Sequence, residues 1–150
     1  MIDLALIWVG IIGLGVLIYV VMDGFDLGIG ILFPFIPDPQ ERDVMMNTVA
    51  PVWDGNETWM VLGGAGLFAA FPLVYATVLS ALYIPIILMV VALIFRGVAF
   101  EFRFKAARTQ YLWDQAFIWG SILSSFFQGV ILGAYIQGIQ TSNGIYSGGV

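Results

Sequence analysis

The sequence predicts an all-α integral membrane protein, built as a bundle of about four transmembrane helices. Two observations are compositional: 61% of the 150 residues are hydrophobic and 10% are charged, whereas a soluble domain averages about 25% charged residues. The third is that charge-free stretches long enough to cross a bilayer recur along the chain. Because such a chain cannot cover itself with polar surface, we exclude the soluble classes and expect no nucleic-acid partner.

The first helix is predicted over residues 4–32. This apolar stretch is interrupted only by Asp23 and Asp26, and it ends in a proline-rich turn. The segment before it carries no positive charge, and the apolar run is longer than that of a secretory signal. We therefore expect a retained helix, followed by a short polar loop at 38–43.

The second and third helices are predicted from one long charge-free run, 58–95. As a single helix it would measure about 55 Å, far more than the roughly 30 Å of a hydrocarbon core. Pro72 is the predicted break, since proline suits the first turn of a helix and disrupts its interior. Helices over 49–71 and 75–96 follow, with a re-entrant arrangement as the alternative.

The fourth helix is predicted over 113–139, after a polar stretch at 97–114 and before a Ser/Gly/Asn-rich loop. With four spans, the loops that hold the basic residues lie on the same side of the membrane. These residues are Arg42, Arg96, Arg103, Lys105 and Arg108. The positive-inside rule makes that side cytoplasmic and predicts the N-terminus on the outer face.

Asp23 and Asp26 are three residues apart, so both lie on one side of the first helix. A carboxylate near the bilayer centre costs at least ~2.5 kcal/mol, so this side should face protein or water. One interpretation is that the pair handles protons or contacts a quinone. The other is that both residues lie near the cytoplasmic interface and are solvated or cap neighbouring loops.

Asp54 and Glu57 form a second carboxylate pair, inside the polar motif that runs from Trp53 to Trp59. Two carboxylates on one helical face cannot easily both ionise in a low dielectric, so one of them tends to keep its proton. This is the property that a proton relay needs. The alternative is that the acids stabilise the start of a helix through its dipole.

Arg96 follows the charge-free run directly. It can pair across the bundle with an acid, the candidates being Asp23, Asp26 and Asp54, or extend to lipid headgroups. Three further basic residues are interpreted as ordinary cytoplasmic positive charge: Arg103, Lys105 and Arg108. Asp114 is interpreted as a charge at the start of the fourth helix.

The sequence contains no histidine and no cysteine. It therefore lacks the commonest haem and transition-metal ligand, as well as the residues of a Ser/His/Asp or Cys/His catalytic site. We expect no metal ligated by this chain. Any haem must be bound mainly by another chain or by sequence outside these residues.

Four ordered motifs resemble subunit II of the cytochrome bd-type quinol oxidases. The motifs are Asp23-Gly24-Phe25-Asp26-Leu27-Gly28, Pro51-Val52-Trp53-Asp54-Gly55-Asn56-Glu57-Thr58-Trp59, Leu67-Phe68-Ala69-Ala70-Phe71-Pro72 and Phe95-Arg96-Gly97-Val98-Ala99-Phe100-Glu101-Phe102-Arg103. Family members continue into a second set of four helices. The resemblance therefore implies that these residues are the N-terminal half of an eight-helix subunit.

The resemblance implies a function in the bacterial inner membrane. The expected complex oxidises quinol, reduces oxygen to water and takes its protons from the cytoplasm, which makes it electrogenic. A partner, subunit I, holds the b-type and d-type haems, while subunit II ligates none of them. Membrane lipids and quinol or quinone are the other expected partners.

The resemblance also assigns residues. Asp54 matches a residue at the entrance of a cytoplasmic proton path, in which we include Glu57, Asp23 and Asp26. Trp53, Asp26 and Arg96 match positions near a quinone that some members hold. Two other functions remain open: a proton-coupled transporter or channel segment, and a scaffold whose acids only set helix packing.

Overall fold

The computed structural model describes residues 3–106, 108–142 and 145–146, and it confirms the predicted all-α class. A 3₁₀ turn (Phe33–Phe35) follows the first helix, and two short antiparallel strands, β1 (Thr141–Ser142) and β2 (Ile145–Tyr146), follow the last. The helices are α1 (Leu4–Leu32), α2 (Pro39–Val49), α3 (Trp53–Ala70), α4 (Pro72–Phe102) and α5 (Gln110–Gln137).

Helix α2 occupies a segment whose beginning, 38–43, is predicted to be a loop, and that prediction is wrong. Asp38 caps the helix by accepting a hydrogen bond from the backbone of Gln40 at 2.9 Å, and Pro39 occupies the first turn. Met46 and Val49 are fully buried, so the helix is held by packing on one side. Helix α2 is short and polar on average, so it contains no long apolar run that would mark it in the sequence.

The sequence predicts a break at Pro72 and a third helix from residue 75, whereas α4 begins at Pro72 itself. Phe71 has a non-helical backbone (φ −137°, ψ 64°) and Pro72 begins α4. Helix α4 then continues to Phe102, beyond the predicted end at 96. Pro85 lies inside this helix, and the backbone is distorted one turn earlier at Leu82 (φ −119°, ψ 21°), as expected for a proline kink.

The long helices form one bundle in which α4 packs along α5, and α1 packs against both α3 and α5. Gly120 of α5 allows the closest approach. A Cβ atom at this position would lie 2.8 Å from the carbonyl oxygen of Ala92 and 2.9 Å from the backbone nitrogen of Arg96. Gly30 likewise allows α1 to approach α5 closely, since a Cβ atom there would collide with the side chain of Ser121.

The apolar core lies at the end of the bundle that α2 covers. Its buried members come from α2, α4, α5 and the 3₁₀ turn: Phe33, Met46, Val49, Ala99, Phe100, Phe117 and Ile118. Ring contacts connect three of the segments, with Phe100 and Phe117 at 5.1 Å between centroids and Phe33 and Phe117 at 5.2 Å. This core fixes α2 against the bundle.

Three segments of the described chain are long and apolar enough to cross a membrane: Leu4–Phe35, Pro72–Phe102 and Gln110–Gln137. Helix α3, the remaining predicted span, is not among them. It has 18 residues, and its first turns include Asp54, Asn56 and Glu57. Its crossing of the membrane stays a prediction.

We predict that Gly120→Ala destabilises the bundle by about 1–3 kcal/mol, because the new methyl group forces α4 and α5 apart. Gly129→Ala on the same helix is the matched control, since a Cβ atom there meets nothing within 4 Å. The measurement is the midpoint of thermal unfolding of the detergent-solubilised protein. Equal midpoints for the two variants would contradict the predicted close packing.

Candidate functional site

Arg96 of α4 lies at the centre of a buried charge cluster. Its side chain is fully buried, and its Nη2 atom donates to Oδ1 of Asp23 at 2.7 Å and to Oε2 of Glu57 at 2.9 Å. The two acids belong to α1 and α3 respectively. One guanidinium group therefore connects three helices, and Arg96 is paired rather than extended to lipid headgroups.

Asp26 belongs to the same cluster and is also fully buried. Its Oδ2 atom accepts a hydrogen bond from Nδ2 of Asn56 at 2.9 Å, and its carboxyl group interacts electrostatically with Asp23 and Arg96. Burial of both aspartates contradicts the interpretation that they are simply solvated at the interface. The guanidinium thus hydrogen-bonds two carboxyl groups and interacts with a third, so the cluster has an excess of acidic groups.

Exposure falls steadily from Asp54 into this cluster. Asp54 lies in the first turn of α3 and is exposed. Glu57, three residues later, interacts electrostatically with Asp54 and has a side chain that is 22% exposed. Beyond it, Arg96 and Asp23 are both 0% exposed. The predicted pairs of acids therefore lie in one series that runs from an exposed carboxyl group to buried ones.

Trp53 packs against α4 beside the residue that follows Arg96 in the chain. Its ring stacks on Phe100 with centroids 5.1 Å apart and lies against Gly97, the residue after Arg96. The three residues predicted to contact a quinone thus lie in one region. Arg96 has two donors, Nε and Nη1, that have no hydrogen-bond partner in the described part of the chain.

A second ion network, which the sequence analysis missed, lies at the end of the bundle near α2. Arg103 is 1% exposed and donates to Asp114 and Asp43, while Arg42 donates to Asp114 at 3.3 Å. Both guanidinium groups lie within 5.5 Å of the Phe33 ring centroid. Arg103, which the sequence interprets as ordinary cytoplasmic positive charge, is buried in this network, and Asp114 is an ion-pair partner rather than only a helix-start charge.

This network shows that the segments carrying Arg42 and Arg103 meet at one end of the bundle. Lys105, by contrast, is exposed and pairs at the surface with Glu101 at 3.4 Å. The segments 42–43 and 103–114 contain both basic and acidic side chains, which could have suggested pairing, but the sequence alone did not show that these segments touch. Among the described residues, no group of three acidic side chains is arranged to hold a metal ion.

A family model and the related proteins agree on the family of this chain. The family model described as cytochrome bd terminal oxidase subunit II matches residues 4–150. The chain is 39% identical over 139 residues to the cytochrome bd-I ubiquinol oxidase subunit 2 of Escherichia coli K12, an alignment that covers 91% of this chain and 37% of that protein.

Two other relatives agree. The cytochrome bd ubiquinol oxidase subunit 2 of Bacillus subtilis is 39% identical over 140 residues, covering 91% of this chain and 40% of that protein. A probable cytochrome oxidase subunit 2 of Haemophilus influenzae is 39% identical over 122 residues, covering 79% and 32%. The chain thus spans between about a third and two fifths of the length of these relatives. Since the family model covers nearly all of it, the chain belongs to the cytochrome bd terminal oxidase subunit II family.

Proposed function

We propose that this chain is the N-terminal half of subunit II of a quinol:oxygen oxidoreductase and that it supplies a cytoplasmic proton entrance to that complex. The observation behind the proposal is the fall in exposure from Asp54 through Glu57 to the Arg96 cluster. The names of the Escherichia coli and Bacillus subtilis relatives, which are ubiquinol oxidase subunits, support the reaction class.

Proton uptake can begin at Asp54, whose exposed position lets its carboxyl group exchange a proton with bulk water. Glu57 is the next acceptor, three residues further and partly buried. Arg96 then stabilises whichever of Glu57 and Asp23 is ionised, because its Nη2 atom bonds to both. A proton that neutralises one acid leaves the arginine paired with the other, so the cluster can load and release a proton without leaving a charge unpaired.

The haems of the proposed complex belong to its partner, subunit I, where they supply the electron transfer and oxygen chemistry. The chain has neither histidine nor cysteine, the commonest haem ligand and the thiolate ligand, which supports haem ligation by the partner. A quinone bound in this chain would contact Trp53, Asp26 and Arg96. The unpartnered Nε and Nη1 donors of Arg96 support this, because a quinone carbonyl oxygen accepts hydrogen bonds.

We also propose the orientation that the positive-inside rule predicts, with the N-terminus on the outer face of the bacterial inner membrane. It is supported by the meeting of the Arg42 and Arg103 segments at one end of the bundle. In that orientation the exposed carboxyl group of Asp54 faces the cytoplasm. Lipid contacts are proposed for the exposed apolar side chains of α1 and α4.

We predict that Asp54→Asn lowers quinol-driven oxygen consumption of the assembled oxidase by at least about tenfold, because the entrance loses its exchangeable proton. Haem content, measured from the visible spectrum, should be unchanged. Glu101→Gln is the control, since Glu101 is an exposed acid whose ion pair in the described part of the chain is with the exposed Lys105. Normal turnover of Asp54→Asn with a normal haem spectrum would rule out Asp54 as the entrance.

We predict that Arg96→Leu prevents stable assembly, since breaking a buried pair and leaving its acids uncompensated costs about 3–5 kcal/mol. Arg96→Lys keeps the positive charge but not the forked geometry, so it should assemble with reduced thermal stability. The control is Lys105→Leu, because Lys105 is exposed. Assembly is followed by haem absorbance and size-exclusion chromatography, and normal assembly of Arg96→Leu would contradict the central role of Arg96.

A further inference from the structure

One buried face of α1 extends from the Arg96 cluster toward the middle of the helix. It consists of Tyr19, Asp23, Asp26 and Gly30, which are spaced by four, three and four residues and therefore lie in one line. All four are buried, whereas most of the apolar side chains of α1 are exposed. From Gly30 to Tyr19 this line measures about 16 Å at the helical rise of 1.5 Å per residue.

A matching polar face of α5 lies opposite. Ser121 touches the position of Gly30 at one end, and Gln128 donates from Nε2 to the Tyr19 hydroxyl oxygen at 2.7 Å at the other. Gln128 also lies 3.3 Å from Oγ of Ser124, which is fully buried, as is Ser121. We call the facing residues Tyr19, Asp23, Asp26, Ser121, Ser124 and Gln128 the α1–α5 seam.

Three oxygen atoms in the seam have no hydrogen-bond partner among the residues that the structure describes: Asp23 Oδ2, Asp26 Oδ1 and Ser121 Oγ. Their side chains are all fully buried. Buried oxygens of this kind are costly unless they are hydrogen-bonded, and ordered water is their usual partner in protein interiors. The seam thus has the polar lining that internal water requires.

The hydroxyl of Tyr19 is oriented for proton donation. Because its oxygen already accepts from Gln128, its own proton is left for another acceptor, and it interacts with the carboxyl group of Asp23 one turn away. Tyr19 lies about 20 Å along α1 from Leu32 and about 22 Å from Leu4, so it is close to the middle of a helix that is longer than a roughly 30 Å hydrocarbon core.

We propose that the α1–α5 seam binds ordered water and relays protons from the Arg96 cluster toward the centre of the membrane. Each hydroxyl or water accepts one proton on a lone pair and passes on another, so no group is consumed. Gln128 is a positioning residue, since its amide donates to Tyr19 and Ser124 but transfers no proton. This inference rests on the proposed oxidase function and adds an inner path to its entrance.

The sharpest test is Ser121→Ala in the assembled oxidase, with Ser125→Ala as the matched control. Ser125 Oγ donates to the backbone oxygen of Ser121 within the same helix and so stands outside the seam. If Ser121 only packs, removing its unpartnered hydroxyl is neutral or stabilising. The proposal instead expects oxygen consumption to fall roughly fivefold, as for the loss of one hydrogen bond, at unchanged haem content and melting temperature.

Tyr19→Phe is the second variant, with Tyr135→Phe as its control because Tyr135 is an exposed tyrosine of α5. Tyr19→Phe should slow proton uptake and increase the ratio of oxygen consumption in H₂O to that in D₂O, while Tyr135→Phe changes neither. If Ser121→Ala and Tyr19→Phe keep wild-type rates while Asp54→Asn is impaired, the proposed relay through the seam is wrong, whereas the proposed entrance at Asp54 is supported. If all three keep wild-type rates, both proposals fail. A lower melting temperature that accounts for the slower turnover of Ser121→Ala would assign Ser121 a structural role and overturn the seam.

Discussion

The pairing of Arg96 with Asp23 and Glu57 is the interaction on which the bundle depends. A single Nη2 atom bonds acids from two other helices, so α1, α3 and α4 cannot shift relative to one another without leaving a buried charge unpaired. Gly120 lies against the backbone of Arg96 and brings α5 to the same point. Since lipid offers helices no hydrophobic reason to associate, such polar contacts and close approaches determine which helices meet.

The two ion networks differ in their balance of acidic and basic groups. The one around Arg103 joins α2 to the start of α5 and is flanked by Phe33, so it closes the end of the bundle where the apolar core lies. Its acids and bases balance. The one around Arg96 has more acids than bases and leaves oxygen and nitrogen atoms without partners among the described residues. The first is therefore suited to holding a structure, and the second to exchanging protons or ligands.

The all-α membrane class could be predicted from the sequence because bilayer thickness restricts what an apolar run can be, and because Pro72 divides a run that is too long for one span. Sequence-based prediction failed for the features that depend on three-dimensional packing. Helix α2 is too polar and too short to be recognised as a span, yet Met46 and Val49 bury one side of it. The acids of the site were found because charge is rare in such spans. The pairing of Arg96 with Asp23 and Glu57 and the burial of Arg103 depend on which helices touch. The spacing of residues along the chain does not reveal these contacts.

Stability alone does not account for the Arg96 cluster. A buried ion pair contributes little net stability, and apolar residues of similar volume often replace one without loss. This cluster is more costly than a simple pair, since Asp26 and Asp23 each leave one oxygen without a partner in the described structure while Arg96 leaves two nitrogens. Groups that are expensive for the fold, graded from exposed Asp54 to buried Asp23, are the arrangement expected when protons must enter a membrane protein from water. The same reasoning favours the proton entrance over a scaffold whose acids only set helix packing.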